Sequence, residues 1–261
     1  MGSNRFKNSV PKVTIIGITG IPMINKNDDL GEIVCKAAQR QGTPIEDGDI
    51  IVIAQKIVSK SEGRIVALKN VQPSELAKTM SRRSKKSAQL IELILRESKS
   101  IVRMVNGHLI TETKQGWTCA NSGIDVSNVS GGSHAVLLPE DSDESAYRIR
   151  KRIKSLTDRS VAIIISDTFG RPLRDGHIDV AIGSSGIDPL LDLRGEKDLF
   201  DYTLRVKKTA IVDELASAAE LVIGQAREKI PVAIVRGYSY RPSETAKSTA
   251  LLRPKEKELF L

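Results

Sequence analysis

The stretch VAIIISDTFGRPLR, residues 161–174, decides how this chain is read. Its first five residues form an unbroken run of apolar, mostly β-branched side chains, followed by Ser166. A short run without polar alternation fits a strand covered on both faces. The sequence then turns polar at once, with Asp167 and Thr168 at the strand's carboxyl end and Arg171 and Arg174 beyond. Open α/β sheets hold ligands outside the carboxyl ends of their strands. A carboxylate there suits a metal ion that also touches phosphate, and the arginines suit anionic substrates. Asp-Thr as the cap of a following turn is the competing reading.

Outward from this run, VTIIG (13–17) and DIIVIAQ (49–55) are further buried strands, and 209–212 and 231–235 add two more. Shorter strands are expected at 101–105, 109–113 and 135–138. Leu30, Ile33, Val34 and Ala37 recur at helical spacing behind Asp28 and Asp29, an acidic pair suited to a helix N-terminus, so a helix is expected from there to Arg40. Residues 73–80, 88–98, 142–156 and 213–225 also read as helices. Strands and helices mix without regular βαβ alternation, repeats or a low-complexity linker, which implies an α/β to α+β mixed fold.

Three more polar clusters follow strand ends. GITGIP (17–22) is a glycine-rich turn that allows close backbone approach to a ligand or only a tight turn. QKIVSKSEGR (55–64), read as a loop, groups Lys56, Lys60 and Arg64 with two serines, a set that suits phosphate oxygens or a solvated surface. CANSGIDVSN (119–128) carries Asp125, a hard oxygen donor for Mg²⁺ or Mn²⁺, among Asn and Ser residues that also build turns. GxxxxGK[ST] and a strand-following GxGxxG are both lacking, which excludes the P-loop and dinucleotide-binding fingerprints. His108, His134 and His177 are isolated, and Cys35 and Cys119 show no metal or disulfide spacing and are read as packing residues.

Composition narrows the choice of partner. The net charge of +8 suits a polyanionic partner, either nucleic acid or a phosphorylated small molecule, or serves solubility alone. Aromatic residues are only 3% of the chain, so platforms for stacking bases are scarce. The basic stretches at 82–86 and 148–154 are what a nucleic-acid-binding reading would use. The polar N-terminus lacks an apolar signal region, and no apolar run nears the roughly 18 residues a membrane helix needs. A cytoplasmic location is the expectation.

Taken in order, the clusters resemble the coenzyme F-420-0:L-glutamate ligase family. The matching stretches include GIP with NDDL (20–30), DGDIIVIAQKIVSKSEGR (47–64), PSELA (73–77), LILRES (93–98) and CANSGIDVSNV (119–129). They continue through LLPEDSDESA (137–146), IISDTFGRPLRDGHIDVAIG (164–183), DLRGEKD (192–198), DELASAAELVIGQA (213–226) and IPVAIVRG (230–237). Residues 1–12 have no counterpart and stand as an N-terminal extension; 13–261 form the ligase region. Asn27, Ser122, Ser142 and Lys207 depart from the family pattern at Gly, Ala, Pro and Thr positions.

The resemblance implies a two-domain fold of the family's own type and a homodimer. It implies that GTP is cleaved while L-glutamate joins the lactyl carboxylate of a deazaflavin coenzyme precursor, with further γ-linked glutamate to follow. Two divalent ions (Mg²⁺ or Mn²⁺) and K⁺ would assist. The metal positions it implies are Asp125, Asp167, Thr168 and Gln225. The nucleotide positions are Gly20, Ile21, Pro22, Met23, Gln55, Lys56, Lys60, Asn128, Ile223, Gly224, Gln225, Ala226, Arg227, Glu228, Lys229 and Ile230. Asp125, Asp167 and Lys60 would carry the chemistry. A ligase of the same fold acting on another acceptor carboxylate is the nearest alternative.

Overall fold

The computed structural model describes residues 10–127 and 132–257. Along the chain, β1 (Thr14–Gly17) leads through a loop to α1 (Leu30–Arg40), then β2 (Ile50–Ala54), α2 (Gln55–Ser61) and β3 (Ile65–Ala67). Helices α3 (Glu75–Ser81) and α4 (Ala88–Glu97) precede β4 (Ser98–Val105), β5 (His108–Thr113), β6 (Thr118–Ala120) and β7 (His134–Val136). The chain continues with α5 (Ser142–Thr157), β8 (Ala162–Gly170), β9 (His177–Ser185), β10 (Leu190–Asp192), β11 (Lys208–Ala210), α6 (Ile211–Ile223) and β12 (Val232–Arg236). The mixed fold expected from the sequence is what forms.

A five-stranded sheet of order β1-β12-β2-β8-β9 is the centre. Only β2 and β8 pair in parallel; the other neighbours are antiparallel. Strict alternation along the apolar runs feeds a core on each face. Ile51, Ile53, Ile163 and Ile165 pack toward α1 and α5, while Ile50, Val52, Ala162 and Ile164 pack toward α6. A third core of Met80, Ile91, Ile94, Leu109, Ala135 and Leu137 is built wholly by the segment between β2 and α5.

Helix α1 starts where the acidic pair predicts it: Asp29 is the N-cap, and its carboxylate accepts from the Glu32 N–H at 3.0 Å. Three expectations are corrected. Residues 55–64 are not a loop but open as α2, which the sequence hides because Ala54 precedes it without a side-chain cap. The strand expected at 209–212 ends at Ala210, and α6 begins at Ile211, two residues before the acidic Asp213 that suggested its start. The strand at 161–166 runs on to Gly170 and pairs with β9, a nine-residue strand absent from the sequence reading.

The β8–β9 pairing carries a bulge. Ile165 pairs with Gly183 but Ser166 with Ala181, so Ile182 is the extra residue. The Ala181 N–H instead donates to Asp213 of α6 at 2.9 Å. Bulges re-aim strand ends beside functional sites, and this one sits immediately before Asp167.

Candidate active site

One edge of the five-stranded sheet gathers the clusters. The carboxyl ends of β1, β2 and β8 lie there with the beginnings of β12 and β9. Ile18 N–H donates to the Val232 carbonyl at 2.8 Å, and Ala54 N–H to that of Pro231 at 2.9 Å, which draws the segments after β1, after β2 and before β12 together. The nucleotide positions Gly20 to Met23, then Gln55, Lys56 and Lys60, and Ile223 to Ile230 therefore share an edge despite their separation in sequence. Met23 is 77% exposed there, whereas Gln55 is buried and accepts a hydrogen bond from Ser59 at 2.8 Å. Asn128 lies outside the described residues.

Alternation in β8 splits the metal positions between its two faces. Asp167 and Phe169 continue the face of Ile163 and Ile165, and Ser166 and Thr168 that of Ala162 and Ile164. On the second face, Thr168 Oγ1 donates to Asp179 Oδ1 at 3.1 Å and lies 3.0 Å from Gln225 Oε1. Gln225 Nε2 donates to Asp179 Oδ1 at 3.0 Å, and Ser166 Oγ to Asp179 Oδ2 at 2.9 Å. Asp179, placed opposite Thr168 in the β8–β9 register and 3% exposed, is thus the hub of this cluster. The sequence reading gave Asp179 no role. The signal was the alternation of HIDVAIGSS, which marks β9 once it is read as a strand.

On the first face, Asp167 lies within the field of the Asp125 and Lys56 charges. Asp125 is fixed by a backbone bridge to Val136 of β7, and its Oδ2 pairs with Lys56 Nζ at 2.7 Å. The Ser127 N–H and hydroxyl donate to the same carboxylate at 2.6 and 2.8 Å. Burial works to raise the Asp125 pKa, but the hydrogen bonds from Lys56 and Ser127 outweigh it and hold the group below its usual value. Asp167 is the opposite case. Burial pushes it up to about 7; the Thr168 N–H opposes this, and the nearby charges of Asp179 and Asp125 add to it. Burial and the neighbouring Lys56 lower the Lys60 pKa, so two ammonium groups repel at a point where a polyanion would relieve them.

The donors fit hard divalent ions. Asp125 and Asp167 offer two carboxylates on one face of β8, and burial, helped by the charges of Asp179 and Asp125, drives Asp167 toward its neutral form, which a bound cation would reverse. Among the described residues no three carboxylate, imidazole or thiolate groups close on one point. The neutral oxygens of Thr168 and Gln225 would therefore complete the donor set. Arg171 is half-buried and donates to the Asp175 and Gly176 carbonyls of its own turn. Ser122 is buried away from the carboxylates, bonded to Ser98 and Thr111 at 2.8 Å each.

A family model described as F420-0:Gamma-glutamyl ligase matches residues 19–237. The chain belongs to the F420-0:gamma-glutamyl ligase family. It is 43% identical over 249 residues to the coenzyme F420:L-glutamate ligase of Methanothermobacter thermautotrophicus, covering 95% of this chain and 98% of that one. It is 44% identical over 251 residues to the enzyme of that name from Methanocaldococcus jannaschii, covering 95% and 97%. To that of Methanopyrus kandleri it is 42% identical over 240 residues, covering 91% and 93%. The family match spans every cluster at the sheet edge, from Gly20 to Ile230. No described helix is long and apolar enough to cross a membrane.

Proposed function

We propose that this member of the ligase family joins L-glutamate to the lactyl carboxylate of a deazaflavin coenzyme precursor, driven by GTP. The gathering of Asp125, Asp167, Lys56 and the Asp179–Thr168–Gln225 cluster at one sheet edge carries this reading. A carboxylate is a poor electrophile toward an amine. In the first step an acceptor carboxylate oxygen bonds to the γ-phosphorus, the bond to the β-phosphate oxygen breaks, and GDP leaves. In the second, the glutamate nitrogen bonds to the acyl carbon, the carbon–oxygen bond to phosphate breaks, and the amine loses its proton.

The residues divide these tasks. Asp125 and Asp167 would hold a divalent ion on one face of β8, and Thr168 and Gln225, oriented by Asp179, would hold one on the other. Such ions supply charge neutralisation and alignment for in-line transfer. Lys56 and Lys60 bind phosphate oxygens, which removes their mutual repulsion. K⁺, further γ-linked glutamylation, a homodimer and a cytoplasmic location belong to the same proposal. Isotope transfer tests the acyl phosphate: with ¹⁸O in the acceptor carboxylate, one label should appear in released phosphate. Label retained wholly in the product would refute the intermediate.

The nucleic-acid reading finds little support in α5, whose arginines form ion pairs. Arg148 pairs with Glu62 at 2.6 Å, Arg150 with Glu244 and Arg152 with Asp29, each at 2.5 Å.

A further inference from the structure

A cavity of about 920 Å³ lies between the β4-β5-β6 sheet and the β8–β9 edge, and Asp167 lines it. The ligase reading leaves one task there without a residue. The incoming amino acid carries its amine mainly as an ammonium at neutral pH, and an ammonium has no lone pair with which to attack a carbonyl. A base must remove a proton first, and it must stand in the space where the acyl carbon is formed.

Among the titratable side chains that line this cavity, one carboxylate keeps an oxygen open. Asp167 is taken up by the metal. Glu112 is occupied: one oxygen pairs with Lys99 Nζ at 3.1 Å and the other accepts from Ser100 Oγ at 3.1 Å. The Cys119 thiol, pushed up to about 12 chiefly by burial, stays protonated. Lys99, Lys114 and Arg253 are cations, and no described histidine lines the cavity. Asp213 remains. It is half-buried, in the first turn of α6, and forms no ion pair with any described residue. Its Oδ1 accepts from the Ala181 N–H at 2.9 Å, which fixes the carboxylate beside the β8–β9 bulge, while Oδ2 accepts no hydrogen bond from the described residues. Val180, the residue before Ala181, lies opposite Asp167 in the β8–β9 register, so the two carboxylates attach to neighbouring positions of one strand. Burial raises the Asp213 pKa and the Ala181 N–H opposes it, which moves the group toward the working range of a base at neutral pH.

We propose that Asp213 is the general base of the amide-forming step. Its Oδ2 takes one proton from the ammonium of the incoming amino acid and frees the nitrogen lone pair. The nitrogen then bonds to the acyl carbon, the carbon–oxygen bond to phosphate breaks with its electron pair on the phosphate, and the phosphate carries away the second nitrogen proton. Oδ1 stays on the Ala181 N–H throughout, and Asp213 returns its proton to solvent. The assignment rests on the ligase reading above and deepens it, because it gives the second half-reaction a residue that the first does not use.

Hydroxylamine separates the two half-reactions on the full chain, because it is mostly unprotonated at neutral pH and attacks an acyl phosphate without a base. With GTP, Mn²⁺ and the glutamate-free deazaflavin coenzyme, the wild type should form glutamyl product from L-glutamate and a hydroxamate from hydroxylamine. Asp213→Asn keeps an oxygen for the Ala181 N–H. It should lose glutamyl transfer by at least about 10²-fold while its hydroxamate rate stays within about threefold of wild type. Undiminished glutamyl transfer, or equal loss of both products at an unchanged melting temperature, would overturn the assignment. If Asp213→Asn melts early, Asp213→Ala with added formate, a carboxylate supplied from solution, takes its place. Formate should then raise glutamyl transfer at least about tenfold and leave the hydroxamate rate alone, and the lack of that rise would overturn the assignment. A wild type that forms neither product although GTP binds would refute the ligase reading itself, and this assignment with it.

Discussion

Asp179 shows what a single residue does at this edge and why it was hidden. Its two carboxylate oxygens hold Ser166, Thr168 and Gln225, two side chains from the end of β8 and one from the segment just after α6. Asp179→Asn should weaken Mn²⁺ binding by about 10–100-fold, the usual effect of losing a group that orients metal ligands, and calorimetry would read it. Asp167→Asn should lower turnover by at least about 10³-fold with an unchanged melting temperature, since the countercharge for phosphoryl transfer would be lost; GDP release with both substrates present measures it. Asp167 was legible as a candidate because a carboxylate after an apolar run is visible in sequence, and Asp125 because it is the hard oxygen donor in the Asn- and Ser-rich cluster 119–128. Asp179 was not, because its role follows from lying opposite Thr168, and strand register is a tertiary property that spacing does not encode.

Among the elements, those with strong local signals were legible and those set by their neighbours were not. The end of α1 at Arg40 and the buried β2 follow from periodicity and apolar runs. Helix α2 has no capping side chain, and its seven residues are held by burial of Gln55, Ile57, Val58 and Ser59. Strand β9 is polar at its start, so it was masked until its bulged pairing with β8 was known. The end of α6 depends on Gly224, whose φ of 72° and ψ of 173° suit glycine alone, and an added Cβ would lie 2.3 Å from Glu228. Gly224→Ala should cost about 1–3 kcal/mol by thermal unfolding and displace Gln225, so metal affinity should fall as well.

For the whole molecule, the two cores on either face of the sheet fix which groups can react. Burial, helped by Asp29, pushes the Cys35 thiol up to about 11, and burial with the charge of Asp167 pushes Cys119 up to about 12. A thiol with a raised pKa stays protonated below it, and the thiolate is the reactive form. Both should therefore resist a disulfide reagent at pH 7–8 in the native protein and react only after unfolding; rapid native labelling would contradict this. The net charge of +8 left nucleic acid and phosphorylated small molecules undivided, and ion pairing on α5 was the information the sequence lacked. The most direct measurement is the mass of the product formed from GTP, Mn²⁺, L-glutamate and the glutamate-free deazaflavin coenzyme. A gain of one or more glutamyl units, lost when GTP is omitted, is the expected result. An unchanged acceptor mass, with GTP and metal bound, would contradict the proposed reaction.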